Sequence, residues 1–228
     1  MTTSDSQFTV PTDDEVVLYH QVWRALQAGS ATRPPVPSEI LLHIAAFAGW
    51  VLPYHVQTVS TDVHCYAYGG DKAEKLWFTS GPLADEDVQR IAAIQLVTVG
   101  RDQGWASDPS AGSWSWFEVG FERPPSEGSV LKGRRESHRN RLCSQEPTMC
   151  EGPLLPAPIE DWKAGDVVSV WACAQYPGWR TSGSTAELRF YKSFEPAFPP
   201  SEASEGSAEV ALQEIMVAQP AKTVKALL

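Results

Sequence analysis

The chain has 228 residues, 43% hydrophobic and 20% charged, with a formal net charge of −10. That is enough apolar material for one substantial core, and the acidic field repels a phosphate backbone, which excludes nucleic acid as an expected partner. Eighteen prolines and sixteen glycines favour short strands and turns over long helices, and no apolar run approaches the roughly 20 residues of a membrane span.

Residues 1–11 read as a disordered leader, polar and without the apolar stretch of a signal peptide. A helical segment over 12–53 follows. Thr12-Asp13-Asp14-Glu15 supplies a capping side chain and acids that suit a helix N-terminus. Val16 to Ala28 then reads as a helix with the stripe Leu18, Val22, Trp23 and Leu26, closed by Gly29. After Arg33-Pro34-Pro35, Ser38 is expected to cap a second helix running to about Ala48. Gly49 ends it and Pro53 blocks continuation.

The period then changes from helical to alternating, and residues 54–195 read as a β-domain. Strands are expected over Val56–Tyr68, Leu76–Thr79, Ile91–Val99, Ser113–Glu122, Val167–Tyr176 and Ala186–Phe194, with a helical turn at Asp85–Arg90. Ile91–Val99 reads as a continuous apolar strand through Ile91, Ile94, Leu96, Val97 and Val99, which suits a central strand buried on both faces. Residues 123–152 read as a polar loop with a basic run, Lys132, Arg134, Arg135, His138, Arg139 and Arg141, best explained as solvated. Residues 196–228 are Pro-, Ser- and Glu-rich and read as a disordered tail with a short helix at Glu209–Ala218. Close strands with little helix after residue 55 predict a mainly β protein. The expected architecture is an antiparallel β-sandwich of jelly-roll or galactose-binding-like type, with two short N-terminal helices.

Two stretches resemble known proteins. Val36-Pro37-Ser38-Glu39-Ile40-Leu41-Leu42-His43-Ile44 resembles the opening helix of an F-box over fewer than a dozen residues. Beyond Pro53 the chain passes into β-like sequence instead of further F-box helices. Asp102-Gln103-Gly104-Trp105, Ser113-Trp114-Ser115-Trp116-Phe117-Glu118, Gly165-Asp166-Val167-Val168-Ser169-Val170-Trp171 and Tyr176-Pro177-Gly178-Trp179 resemble a set of uncharacterised fungal proteins, which carry such a helix before a β-rich domain. The order of elements also resembles, more loosely, galactose-binding-like sandwiches, some of which bind glycans behind F-boxes. The resemblance implies architecture, and for function only an analogy at the level of fold.

Candidate chemistry centres on tryptophan. Arg101, Asp102, Gln103 and Trp105 follow one strong strand, and Trp179 and Arg180 follow another. If those strands point the same way, both loops emerge at one end, with ring faces beside hydrogen-bonding groups. Tight Gly turns folded back over the core explain the same residues. Trp114, Trp116 and Glu118 share one strand face by the period of two. A carboxylate between indoles suits an acid catalyst, and a Glu paired with an arginine such as Arg189 is the simpler reading. Glu187 and Asp166 are the available second carboxylates for a glycosidase-like pair.

The five histidines show no ligand spacing. Cys65, Cys143, Cys150 and Cys173 lack a CxxC pair, and no phosphate or dinucleotide fingerprint occurs. Neither metal nor cofactor is therefore expected. Reduced thiols and a cytoplasmic location are expected, with Cys143–Cys150 the one pair suited to an oxidising setting. The leading expectation is a lectin-like, non-enzymatic domain for a small polar ligand or glycan. The alternatives are an F-box-like adaptor docking a protein partner through helix 38–48, and a lyase, isomerase or hydrolase using Asp102 or Glu118. In Val167–Tyr176, Val168, Val170, Ala172 and Ala174 are expected to face the core. Trp171 and Cys173 would then lie opposite, under a helix or a second layer.

Overall fold

The computed structural model describes residues 8–123, 131–158 and 162–196. Chain contacts define two units, residues 1–195 and 196–228. Beyond Pro196 the second unit lies outside the described residues, and with it the helix expected at Glu209–Ala218.

Helix α1 spans Asp13–Ala28 and opens with a capping box. The Thr12 hydroxyl accepts from the Glu15 amide at 3.2 Å, and the Thr12 amide donates to the Glu15 carboxylate at 2.7 Å. Helix α2 spans Ser38–Phe47. Ser38 is its first residue rather than its cap, and its hydroxyl accepts from Gln27 of α1 at 3.2 Å.

The inward face of α1 is also rotated from expectation. Val16, Tyr19, Trp23 and Leu26 pack inward, while Leu18 is half exposed. The cause is an aromatic cluster. Trp50 stacks on Tyr19 at 4.6 Å, and Phe194 meets Tyr19, Trp23 and Trp50. The two helices therefore form their own small core with Leu41, Ala45, Leu52 and Phe194. The leader is anchored at its end, because Phe8 packs against a third cluster that includes Val51 and Tyr191.

Among the described residues ten strands follow: β1 Val51–Val59, β2 Val63–Tyr66, β3 Ala73–Thr79, β4 Ile91–Arg101, β5 Ser115–Glu122, β6 Leu131–Arg139, β7 Thr148–Glu151, β8 Leu155–Pro156, β9 Val167–Ala174 and β10 Arg180–Ser193. A short helix α3, Asp85–Arg90, precedes β4. One sheet runs β1-β10-β4-β7, with β2 also on β10 and β8 also on β4; the other runs β3-β9-β5-β6. All pairings are antiparallel. With β1/β2 and β7/β8 each taken as one broken strand, eight strands form two four-stranded sheets, successive strands changing sheet except at the β5–β6 hairpin, in the double Greek-key order of a jelly roll. The fold is a mainly β, antiparallel β-sandwich.

The main core lies between the sheets. From one it takes Ile94, Leu96, Leu188 and Phe190, and from the other Phe117, Val119, Val168, Val170, Ala172 and Ala174. β4 is buried along almost its whole length between β10 and the β7/β8 edge.

Residues 123–152 are not a single loop. They contain β6 and β7. β6 is an edge strand whose inward positions are Arg135 and His138 instead of aliphatic residues, so it carries no alternating apolar signal. Charge pointing inward from an edge discourages another chain from pairing there. Pro53 lies within β1 rather than ending the helical segment. β1 is also an edge, and the ladder shifts register between Pro53 and His55.

Candidate functional site

Ladder register fixes which loops meet. β10 begins at Arg180, opposite Tyr66 at the end of β2, and Ser182 faces Arg101 at the end of β4. In the other sheet, Ala174 at the end of β9 lies opposite both Ser115 and Ala73. The connections β2–β3, β4–β5, β6–β7 and β9–β10 therefore crowd one end of the sandwich. The helices α1 and α2 sit at the opposite end of β10.

The two Trp loops do meet. The Arg180 amide donates to Gln103 Oε1 at 3.3 Å, and a Cβ on Gly178 would lie 3.5 Å from the Trp105 ring. Gly178 has φ +90°, in the left-handed region that glycine tolerates. Its amide donates to Ala67 O at 3.2 Å, and the Ala67 amide donates to Trp179 O at 3.0 Å, which ties in the β2–β3 connection.

The predicted residues separate into two kinds. Asp102 is fully buried and accepts from three backbone amides: Gly104 at 2.7 Å, Cys143 at 2.7 Å and Ser144 at 3.1 Å. It fastens the β4–β5 loop to the β6–β7 loop, so it offers a ligand nothing. Gln103 is likewise engaged, donating to Trp105 O and accepting from Arg180. Arg101 donates to Gln145 O at 2.8 Å through one guanidinium nitrogen. Trp179 packs on the main core.

What remains presented is aromatic. Trp105 is 58% exposed and Tyr68 is 89% exposed, and Tyr66 and Tyr176 are also exposed. Tyr66 and Tyr68 stack at 6.4 Å, the Arg180 guanidinium lies 5.8 Å over the Tyr66 ring, and Trp114 meets Tyr176 edge-on at 4.8 Å. The sequence reading passed over Tyr66, Tyr68 and Tyr176. The signal was available in Tyr66-Ala67-Tyr68-Gly69-Gly70, where an aromatic pair leads into a glycine turn.

Trp116 and Glu118 form a separate group on the outer face of the second sheet. Glu118 accepts from Trp116 Nε1 at 2.8 Å and pairs with Lys72 at 2.8 Å, not with Arg189. Arg189 is in the other sheet and binds Glu187 at 2.7 Å. Asp166 is engaged by Arg123 at 3.0 Å. The carboxylate that does approach Glu118 is Glu74, through shared Lys72 at 3.2 Å. Burial opposes the Lys72 charge, but its bonds to Glu118 and Glu74 win, so its pKa is raised. Burial likewise works against the Glu74 charge, and hydrogen bonds from Arg134 and Lys72 outweigh it, so its pKa is lowered. These groups neutralise one another and hold neither a free base nor a free acid.

Trp171 and Cys173 lie opposite the core face, where Cys173 is nonetheless fully buried. The Arg134 guanidinium sits 3.6 Å over the Trp171 ring, and burial raises the Cys173 thiol well above its ordinary value. Three arginines of the basic run are spent on such contacts: Arg134 on Glu74, Arg135 on Pro156 O, and Arg139 on Glu136 and Ser113 O.

All four cysteines are free thiols, Cys143 and Cys150 included. Among the described residues, no cluster of His, Cys, Asp and Glu could hold a metal ion, and no helix is long and apolar enough to cross a membrane.

No protein-family model matches the chain, and no curated protein does. Among solved structures it is similar to that of infectious bursal disease virus Gx strain, at 9% identity and a TM-score of 0.35, covering 72% of this chain and 48% of that one. It is also similar to the infectious bursal disease virus VP2 subviral particle, at 9% identity and a TM-score of 0.27, covering 72% and 47%. The chain spans about half the length of these structures. The jelly-roll assignment stands on the strand order alone.

Proposed function

We propose that the protein is a non-enzymatic recognition domain that binds a small polar ligand or glycan at the loop end of the sandwich. The observation that carries this reading is the exposed aromatic group of Tyr66, Tyr68, Trp105 and Tyr176, held on loops that are internally hydrogen-bonded. Loops fastened by Asp102 and Gln103 are preorganised, so little ordering cost falls on binding. Exposed ring faces suit the C–H faces of a sugar, with polar groups at their rim. Free thiols fit a reducing, cytoplasmic setting. The enzyme alternative is weakened by the same geometry, because Asp102 is sealed in a loop and Glu118 is neutralised by Lys72. Calorimetric titration of a glycan panel, with indole fluorescence as the readout of the site, tests the reading. Binding that disappears in Trp105→Ala while the melting temperature holds is expected. A panel without a single ligand would remove it.

A second reading has its own support. Helix α2 buries Leu41 and Ala45 but leaves Ile40 and Ile44 half exposed and Phe47 89% exposed. Residues 40, 44 and 47 share one helical stripe. We infer from this stripe an adaptor role resembling that of an F-box helix. Pull-down with an Skp1-like protein is expected to fail on Phe47→Asp, and no capture by the unaltered protein would end this reading.

A further inference from the structure

We propose that the sheet face beside Trp105 is an anion subsite, where Arg180 and Arg101 receive the carboxylate of an acidic saccharide. The inference rests on the glycan-binding reading and names its ligand class. Its basis is the state of the two arginines. Thr181 points inward, where its hydroxyl meets Ser115 at 2.8 Å, so Arg180 and Ser182 point outward. Gly100 faces the core, since a Cβ there would lie 3.2 Å from the Phe117 ring, so Arg101 also points outward. Register sets Ser182 opposite both Arg101 and His64, and sets Tyr66 opposite Arg180. Arg101, Arg180, Ser182, His64 and Tyr66 therefore share one outer face, with Tyr68 stacked on Tyr66 at 6.4 Å and the exposed Trp105 against Gly178, two residues before Arg180.

Neither arginine pairs with a carboxylate among the described residues. Arg180 is the sharper case. Its Nε is buried without a hydrogen-bond partner, and its guanidinium rests near the Tyr66 ring. Among the other arginines of this acidic chain, Arg90, Arg123, Arg134, Arg139 and Arg189 bind carboxylates, while Arg33 and Arg135 bind backbone carbonyls. A planar cation left open among rings fits a carboxylate, which a guanidinium holds through two parallel N–H···O bonds. The net charge of −10 does not overrule this, because charges beyond a Debye length of roughly 8 Å are screened at physiological salt. His64 and Ser182, joined at 3.1 Å, supply polar contacts at the rim.

The test uses the full chain and indole fluorescence. Oligosaccharides ending in glucuronate, galacturonate or sialate are each titrated beside their methyl esters, with neutral oligosaccharides and sodium sulfate as further arms. At least one acid is expected to bind, with its ester at least tenfold weaker. Arg180→Gln should abolish that difference at unchanged melting temperature, and Arg180→Lys should not restore it, because an ammonium lacks the planar fork. Esters binding as tightly as acids, or binding by neutral sugars alone, would overturn the charge inference and leave the glycan reading standing. Failure of every saccharide removes both. Full quenching by sulfate alone at the same concentration would show a general anion site and overturn the saccharide assignment.

Discussion

Single positions show how tightly the loop end is built. A Cβ on Gly183 would lie 2.6 Å from the Trp77 ring, which itself lies 5.5 Å from Phe117 and donates its indole N–H to Thr61 O at 2.8 Å. The ring or the strand must shift to admit it. Gly183→Ala is expected to cost on the order of 1–3 kcal/mol, the usual range for overpacking, and urea denaturation measures it. Asp102 acts in the opposite sense, as a group whose removal leaves others stranded. Asp102→Ala takes the acceptor from three amides and should cost about 3 kcal/mol. Faster hydrogen exchange at the Gly104, Cys143 and Ser144 amides is the specific readout. Sequence patterns marked Asp102 as a candidate ligand contact because Asp beside Gly and Trp reads equally as a site or as a turn. Only the distant Cys143 and Ser144 amides decide between them, and nothing local encodes that contact.

At the level of elements, legibility followed apolar alternation. In β9, Val168, Val170, Ala172 and Ala174 are all fully buried, and the facing pair Phe117↔Ala172 explains the small residue there. Ala172→Leu would push against Phe117, and a thermal melt should show a loss on the order of 1–3 kcal/mol. β5 was readable for the same reason, and β4 by its continuous apolar run. β6 was not, since Arg135 and His138 occupy its inward positions and the strand exists through its ladder to β5. The start of β10 was missed for a related reason. Arg180-Thr181-Ser182-Gly183 is polar, and its inward Thr181 is satisfied by Ser115 rather than by apolar contact. Within the candidate site, the convergence of the two Trp loops was foreseeable from strand direction. The contribution of the β2–β3 tyrosines depended on the pairing of β2 with β10, which no local pattern announces.

For the whole molecule, the inward histidine sets a pH response. His138 lies between the sheets, with Nε2 2.8 Å from the Thr98 hydroxyl and Nδ1 2.9 Å from that of Ser137, and burial holds its pKa down at about 4 from an ordinary 6.5. Its folded pKa is depressed, so the unfolded chain binds the proton first. Stability is intact above pH 6.5, falls as pH drops from 6.5 towards 4, and loses nothing further from this group below that. The loss is on the order of 3 kcal/mol. His20 and His55, both lowered chiefly by burial, act in the same direction. Urea midpoints at pH 7 and pH 4.5 measure the fall, and His138→Gln should flatten much of it. A further property follows from Phe194, which closes the aromatic cluster of α1 and α2 at the end of β10. Phe8, just before the first helix, packs against the cluster that holds Tyr191 of the last strand, so the path of the first unit is nearly a ring. A short linker from Glu195 to Pro11 would join it, and new ends could be opened in the exposed Gly81-Pro82 turn with every ladder kept. Such a permuted chain should fold with the same sheet order, leaving the aromatic loops at the far end undisturbed and free to be exchanged for others.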